Sequence, residues 1–132
     1  MTTHADIQLM GETVTVSYIA DPNLGYGRFR LENHGLAAVT ATIESVWLEF
    51  AGRPQPLSNF FAFDLDREQA MDPAQLRIDR EATLTFLVSF PKVAHLPSFG
   101  ESATVGLRLR INDVELQAES TIRFERRIPN DH

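Results

Sequence analysis

The chain contains no cysteine, so disulfide frameworks, thiolate nucleophiles and thiolate metal sites are excluded, while the compartment stays open. No run approaches the roughly 18 apolar residues of a membrane-spanning helix, and Met1 to Asp6 is polar with no apolar signal core. These absences lead to the expectation of a soluble cytoplasmic protein, although a fragment of a secreted protein would share them. Positive charge is also scarce. Lys and Arg number 12 against 18 Asp and Glu, for a formal net charge of −6, so no nucleic-acid partner is expected, because that binding depends on clustered cations that neutralise phosphates. Arg123, Arg126 and Arg127 do gather near the C-terminus, but Glu125 interrupts them and they read as a solvated strand edge.

Convergent chemistry is absent as well. His4, His34, His95 and His132 are far apart and show no metal-ligand spacing. No G-x-S-x-G elbow occurs, and with no Cys and no clustered His there is no activated nucleophile. No catalytic residue, cofactor or metal ligand is therefore assigned, and the chain is not expected to be an enzyme. Internal repeats, low-complexity tracts and sustained helical periodicity are missing too.

What is present is alternation. With 132 residues, 43% of them apolar, the chain is long enough for one domain with its own core, ordered over about residues 5 to 126. Val105, Leu107, Leu109 and Ile111 alternate with Gly106, Arg108 and Arg110, the two-residue period of a half-buried strand. Asn112-Asp113 tolerates the positive φ of a type I′ turn, after which Val114, Leu116, Ala118, Ile122 and Phe124 resume the pattern. A two-residue turn sets Ile111 against Val114, Arg110 against Glu115 and Leu109 against Leu116.

Further strands are expected around Ile7 and Leu9, over Val14 to Tyr18, over Arg28 to Asn33, and over Ala82 to Phe90, which Pro91 ends. Between Val39 and Phe50 the parity changes: Val39, Ala41 and Ile43 share one face, and Val46, Leu48 and Phe50 the other. An unbroken strand would expose half of them, so a bulge is predicted near Glu44-Ser45, with Trp47 on the face opposite Val46 and Leu48. Arg53 to Pro56 reads as a turn and Phe61, Phe63 and Leu65 as a short strand. Asp66 to Gln75 reads as a polar loop with at most one helical turn. Short strands at these intervals suit an antiparallel β-sandwich of about seven to eight strands, with a core of Val16, Phe29, Leu31, Leu48, Leu84, Phe86, Leu107, Leu109 and Leu116.

The string Phe29-Arg30-Leu31-Glu32-Asn33-His34-Gly35, followed by a strand through Ile43 to Phe50, resembles the x-Φ-x-Φ-x-N-x-G opening of many bacterial immunoglobulin-like and fibronectin-like modules, where Φ is apolar. Leu76 to Phe86 is similar to their L-x-P-G-E turn and following strand, with Asp79-Arg80 in the place of Pro-Gly. The resemblance implies an immunoglobulin-like fold. It extends weakly to the bacterial intracellular proteinase inhibitor family, from which no inhibitory residue can be carried over.

Two local features bear on binding. Asp64, Asp66, Glu68 and Asp72 have the spacing of positions 1, 3, 5 and 9 of a calcium loop, but Gln69 and Gln75 stand where Gly and a bidentate Glu are required, so a solvated acidic loop is expected. Gly25-Tyr26-Gly27 is too short for a phosphate cradle and reads as a turn. Tyr26, Phe60, Leu96 and Phe99 are large apolar residues outside the alternation. They are the candidate partner-binding residues, or else they cap the open ends of the sandwich. Edge strands offer a route to partners and to a homodimer. The expected function is a non-catalytic protein-interaction module, with proteinase inhibition as the alternative and a metal-binding or enzymatic domain third.

Overall fold

Residues 2–4, 6–17, 24–50, 52–91 and 102–125 are described by a computed structural model, and every regular element among them is a strand. In chain order these are β1 (Thr2–His4), β2 (Ile7–Glu12), β3 (Val14–Ser17), β4 (Leu24–Asn33), β5 (Val39–Phe50), β6 (Arg53–Pro56), β7 (Phe61–Asp64), β8 (Gln69–Met71), β9 (Leu76–Ile78), β10 (Ala82–Pro91), β11 (Ser102–Ile111) and β12 (Val114–Glu125). One sheet has the order β1-β2-β4-β10-β7-β8 and the other β3-β12-β11-β5-β6, with β9 paired to the start of β5. Within them, β2-β4-β10-β7 facing β3-β12-β11-β5 is the A-B-E-D against A′-G-F-C arrangement of an immunoglobulin-like sandwich. Among the described residues there are twelve strands: the eight of this arrangement match the expected seven to eight, and β1, β6, β8 and β9, each three or four residues long, are added to them. The sandwich is also not purely antiparallel, since β3 runs parallel to β12.

The alternation buries what it should. Phe29, Leu31, Leu84 and Phe86 from one sheet meet Leu48, Leu107, Leu109 and Leu116 from the other, and all eight are buried. Each such side chain contributes about 1.5–3 kcal/mol relative to exposure. Phe29 and Phe86 stack with ring centroids 5.8 Å apart. Of the expected core, only the Val16 side chain lies outside the described residues.

The hairpin has the predicted register, Ile111↔Val114, Arg110↔Glu115 and Leu109↔Leu116. Its turn differs from expectation: Asn112 has φ of 55° while Asp113 stays at negative φ, the sign pattern of type II′ and not type I′. The bulge is also where the parity change put it. Ser45 pairs with Arg108 and Ile43 with Leu109, leaving Glu44 as the extra residue, so that Ile43 and Val46 are both buried.

Three local readings are corrected. Arg53–Pro56 is a strand and not a turn, reached through Gly52 at φ 76°. It is the outermost strand of its sheet, where the missing N–H groups of Pro54 and Pro56 cost no ladder bond. Asp66–Gln75 contains β8 and no helical turn, with Glu68 at φ 52° closing the β7–β8 connection. Gly25-Tyr26-Gly27 lies within β4, its two glycines facing inward where a Cβ would meet the Phe90 ring at Gly25 and Val105 and Ser120 at Gly27. Pro91 is the last residue of β10, as expected, and pairs with Leu24.

The Asn-x-Gly string has a physical role. Buried Asn33 donates from Nδ2 to the carbonyls of Ala37 (2.9 Å) and Asp79 (3.1 Å), and its Oδ1 accepts from Gly35 N–H (2.9 Å). One side chain therefore fixes the β4–β5 loop to the β9–β10 turn.

Candidate interaction surface

The register of β10 decides what the outer face of its sheet displays. Leu84, Phe86, Val88 and Phe90 point inward and are buried, so Thr83, Thr85, Leu87 and Ser89 point outward. β7 pairs with β10 through Phe63↔Leu87 and Ala62↔Val88. Paired residues share a face, which makes Ala62 and Asp64 the inward pair and turns Phe61 and Phe63 out; Leu65 keeps the same parity. The apolar side of this strand therefore faces away from the core. The exception that allows this is buried Asp64, whose Oδ1 accepts from the backbone N–H groups of Asp66 (2.9 Å) and Arg67 (3.1 Å). That carboxylate organises the turn and is not presented to a ligand.

The outer face divides into two halves. Across β2 and β4 it is charged and internally paired: Arg28 Nε lies 3.1 Å from Glu12, Arg30 Nε 3.2 Å from Glu32, and Arg30 Nη2 2.9 Å from the sulfur of Met10. Across β10, β7 and β8 its large side chains are apolar and stand among Thr83, Thr85 and Ser89, with a row Leu87–Phe63–Ala70 and, one row along, Tyr26–Ser89–Phe61. Phe61 is 60% exposed.

Of the residues singled out from sequence, Tyr26 sits half-buried in this second row, in a strand and not a loop. Phe60 immediately precedes β7 and packs half-buried against the core, as a residue capping the sandwich would. Leu96 and Phe99 lie outside the described residues. The surface residues the sequence reading missed are Phe61, Phe63 and Leu87. The available signal was Leu87, the one large apolar residue among the Thr and Ser of the outward set of β10.

Elsewhere, Leu36 is 81% exposed beside a cleft of about 290 Å³ at the end of the sandwich, lined partly by Ile7, Val39, Ile111 and Val114. On the outer face of the second sheet, the Trp47 indole lies over Gly106 with the Arg108 guanidinium 5.9 Å from its ring centre. On the same face, Arg110 bridges Glu44 and Glu115 at 2.8 Å each. The Arg110 guanidinium holds the Glu44 carboxyl below its ordinary range. Among the described residues no three His, Asp or Glu side chains come together as a group able to hold a metal ion, and no helix is long and apolar enough to cross a membrane.

Neither a protein-family profile nor a curated protein sequence matches the chain. Solved structures do resemble it. A chain of the Salmonella enterica SafA pilin–SafB chaperone complex superposes with a TM-score of 0.52 at 10% identity, over 99% of this chain and 59% of that one. The YadV chaperone gives 0.51 at 15% identity, over 97% and 55%. A family 123 glycoside hydrolase from Clostridium perfringens gives 0.52 at 8% identity, over 90% of this chain but 23% of the enzyme. The chain thus spans little more than half of the first two of these chains and about a quarter of the hydrolase. At these identities the likeness is one of fold, and fold alone does not carry function.

Proposed function

We propose that the chain is a non-catalytic immunoglobulin-like module that binds another protein through the apolar half of the β10–β7–β8 face. The observation that carries this reading is the outward cluster of Phe61, Phe63 and Leu87, from two neighbouring rows, on a sheet whose other half is polar and ion-paired. An antiparallel sheet facing water normally alternates apolar-in and polar-out along every strand; here β7 turns Phe61, exposed, and Phe63, half-buried, to the outer face and buries Ala62 and Asp64. A contiguous apolar patch with a charged rim is the composition of a recognition surface. The resemblance to a chaperone and to a chain of a pilin–chaperone complex supports a protein as the partner class. Proteinase inhibition draws no such support.

The test is affinity capture from cells of the source organism with the full chain and with a Phe61→Ser/Leu87→Thr variant whose fold is verified by circular dichroism. A protein recovered in stoichiometric amount by the native chain, lost with the variant and rebinding when purified, is the expected result. Recovery of nothing, or equal recovery by the variant, overturns the reading. Inhibition of a purified protease would move the function to the alternative class.

A further inference from the structure

We infer that the free edge of β8 accepts an extended segment of the partner, one with small or β-branched residues at alternate positions and a Lys or Arg at each end. The inference rests on the proposed function and specifies the partner's chemistry. β8 is the last strand of its sheet, so among the described residues its backbone groups on the side away from β7 have no strand to pair with, and an incoming strand would satisfy them. Ala70 points outward in line with Phe63 and Leu87. Its methyl group leaves room above the pleat, so a Val or Ile paired with it would reach the Phe63 ring and continue the apolar row.

Charge selects the occupant. β8 is bracketed by Glu68 and Asp72, and Asp66 stands in the preceding turn. Asp66 and Glu68 form no ion pair among the described residues, and the Asp72 carboxylate accepts a hydrogen bond from Ala74 N–H at 2.9 Å. Arg67, the one cation of the segment, is 4.0 Å from Asp79. A second copy pairing antiparallel about Ala70 would set Glu68 opposite Asp72 at both ends, so like charges oppose the expected edge-strand homodimer here. A cationic-ended segment meets a carboxylate at each end instead. The outermost strand of the other sheet, β6, is a poorer acceptor, since Pro54 and Pro56 remove two of its four N–H groups.

The experiment titrates the isotope-labelled full chain with two capped peptides, Lys-Thr-Val-Thr-Val-Thr-Lys and its counterpart with Glu at both ends, following backbone amide shifts. Shifts confined to β7 and β8, with the Lys-ended peptide binding about tenfold more tightly and the difference shrinking at high salt, are expected. A Glu68→Lys/Asp72→Lys variant should reverse the preference. Equal binding of the two peptides, no binding, or shifts centred on another edge overturns the inference, and the native chain alone suffices for that result. If the peptides fail while cellular capture remains dependent on Phe61, the edge-strand inference falls and the binding module stands.

Discussion

The hydroxyl of Ser120 lies 2.6 Å from the carbonyl oxygen of Glu12, a hydrogen bond between residues 108 positions apart. The Ser120 hydroxyl oxygen in turn accepts from the backbone N–H of Arg28 at 3.0 Å. Glu12 and Arg28 are the last pair of the β2–β4 ladder, and one residue later the chain leaves that sheet and joins β12 as β3. Ser120 thus stands between two backbone groups at the point where their strands part, and ties one sheet to the other. Ser120→Ala should leave both groups without this partner, at about 1–3 kcal/mol for each one left unsatisfied. Thermal melting checks this: a drop of under about 3 °C would show that the backbone re-pairs without the hydroxyl.

Glycines at two close approaches should differ in cost. At Gly11 a Cβ would collide with the backbone carbonyl of Glu119, in a strand that cannot retreat without disturbing both its neighbours. At Gly106 it would meet the Trp47 indole, a side chain on the outer face that can swing aside. Gly106→Ala is expected to cost about 1–3 kcal/mol and to shift the emission of the single tryptophan, because the ring loses its seat. Gly11→Ala should cost more and leave the emission unchanged. Urea titration with fluorescence detection separates the two, and equal costs would mean that the sheets can move apart at Gly11.

These contacts mark the boundary of what was legible in the sequence. Period-two alternation identified β5, β10, β11 and β12, together with the hairpin register and the bulge, because large side chains on one face admit only one parity. It could not read β7. Phe61, Phe63 and Leu65 form a perfect alternation, and nothing local says that Leu87 and Phe86 on the neighbouring strand force it outward, or that Asp64 finds its hydrogen bonds within its own turn. β6 and β8 were read as turn and loop for a related reason. Strands at sheet edges need only one satisfied side, so prolines and acidic residues are tolerated there and the usual strand composition disappears. The candidate site combines both blind spots, an inverted strand and an edge. Sequence therefore pointed to Tyr26 and Phe60, close to the patch, and missed its centre.

Acid should weaken the Glu44–Arg110–Glu115 bridge. Arg110 lowers the folded pKa of Glu44 below its ordinary 4.5, so the stabilisation is fully present above that value and is lost as pH falls through the folded one. The melting temperature of Glu44→Gln should therefore lie below that of the native chain at neutral pH and converge with it in strong acid. The difference should be small and sensitive to salt, as for any exposed pair. A gap that persists unchanged at low pH would assign the effect to the bulge geometry at Glu44 and not to its charge.

Adjacent residues on β10 test the parity on which the proposed binding surface depends. Val88 is fully buried, and Val88→Thr places a hydroxyl of nearly the same shape into an apolar interior, which costs about 1–3 kcal/mol. Leu87→Thr puts the same residue type on the outer face, where water can satisfy it and the substitution matches Thr83 and Thr85 of the same strand. Its cost should be at least about 1 kcal/mol smaller by chemical denaturation, whereas partner capture should suffer from Leu87→Thr and not from Val88→Thr in the folded protein. The reverse order in stability would place Leu87 in the core and remove the apolar row from the surface. Equal capture by both variants would leave the row exposed but deny it the partner.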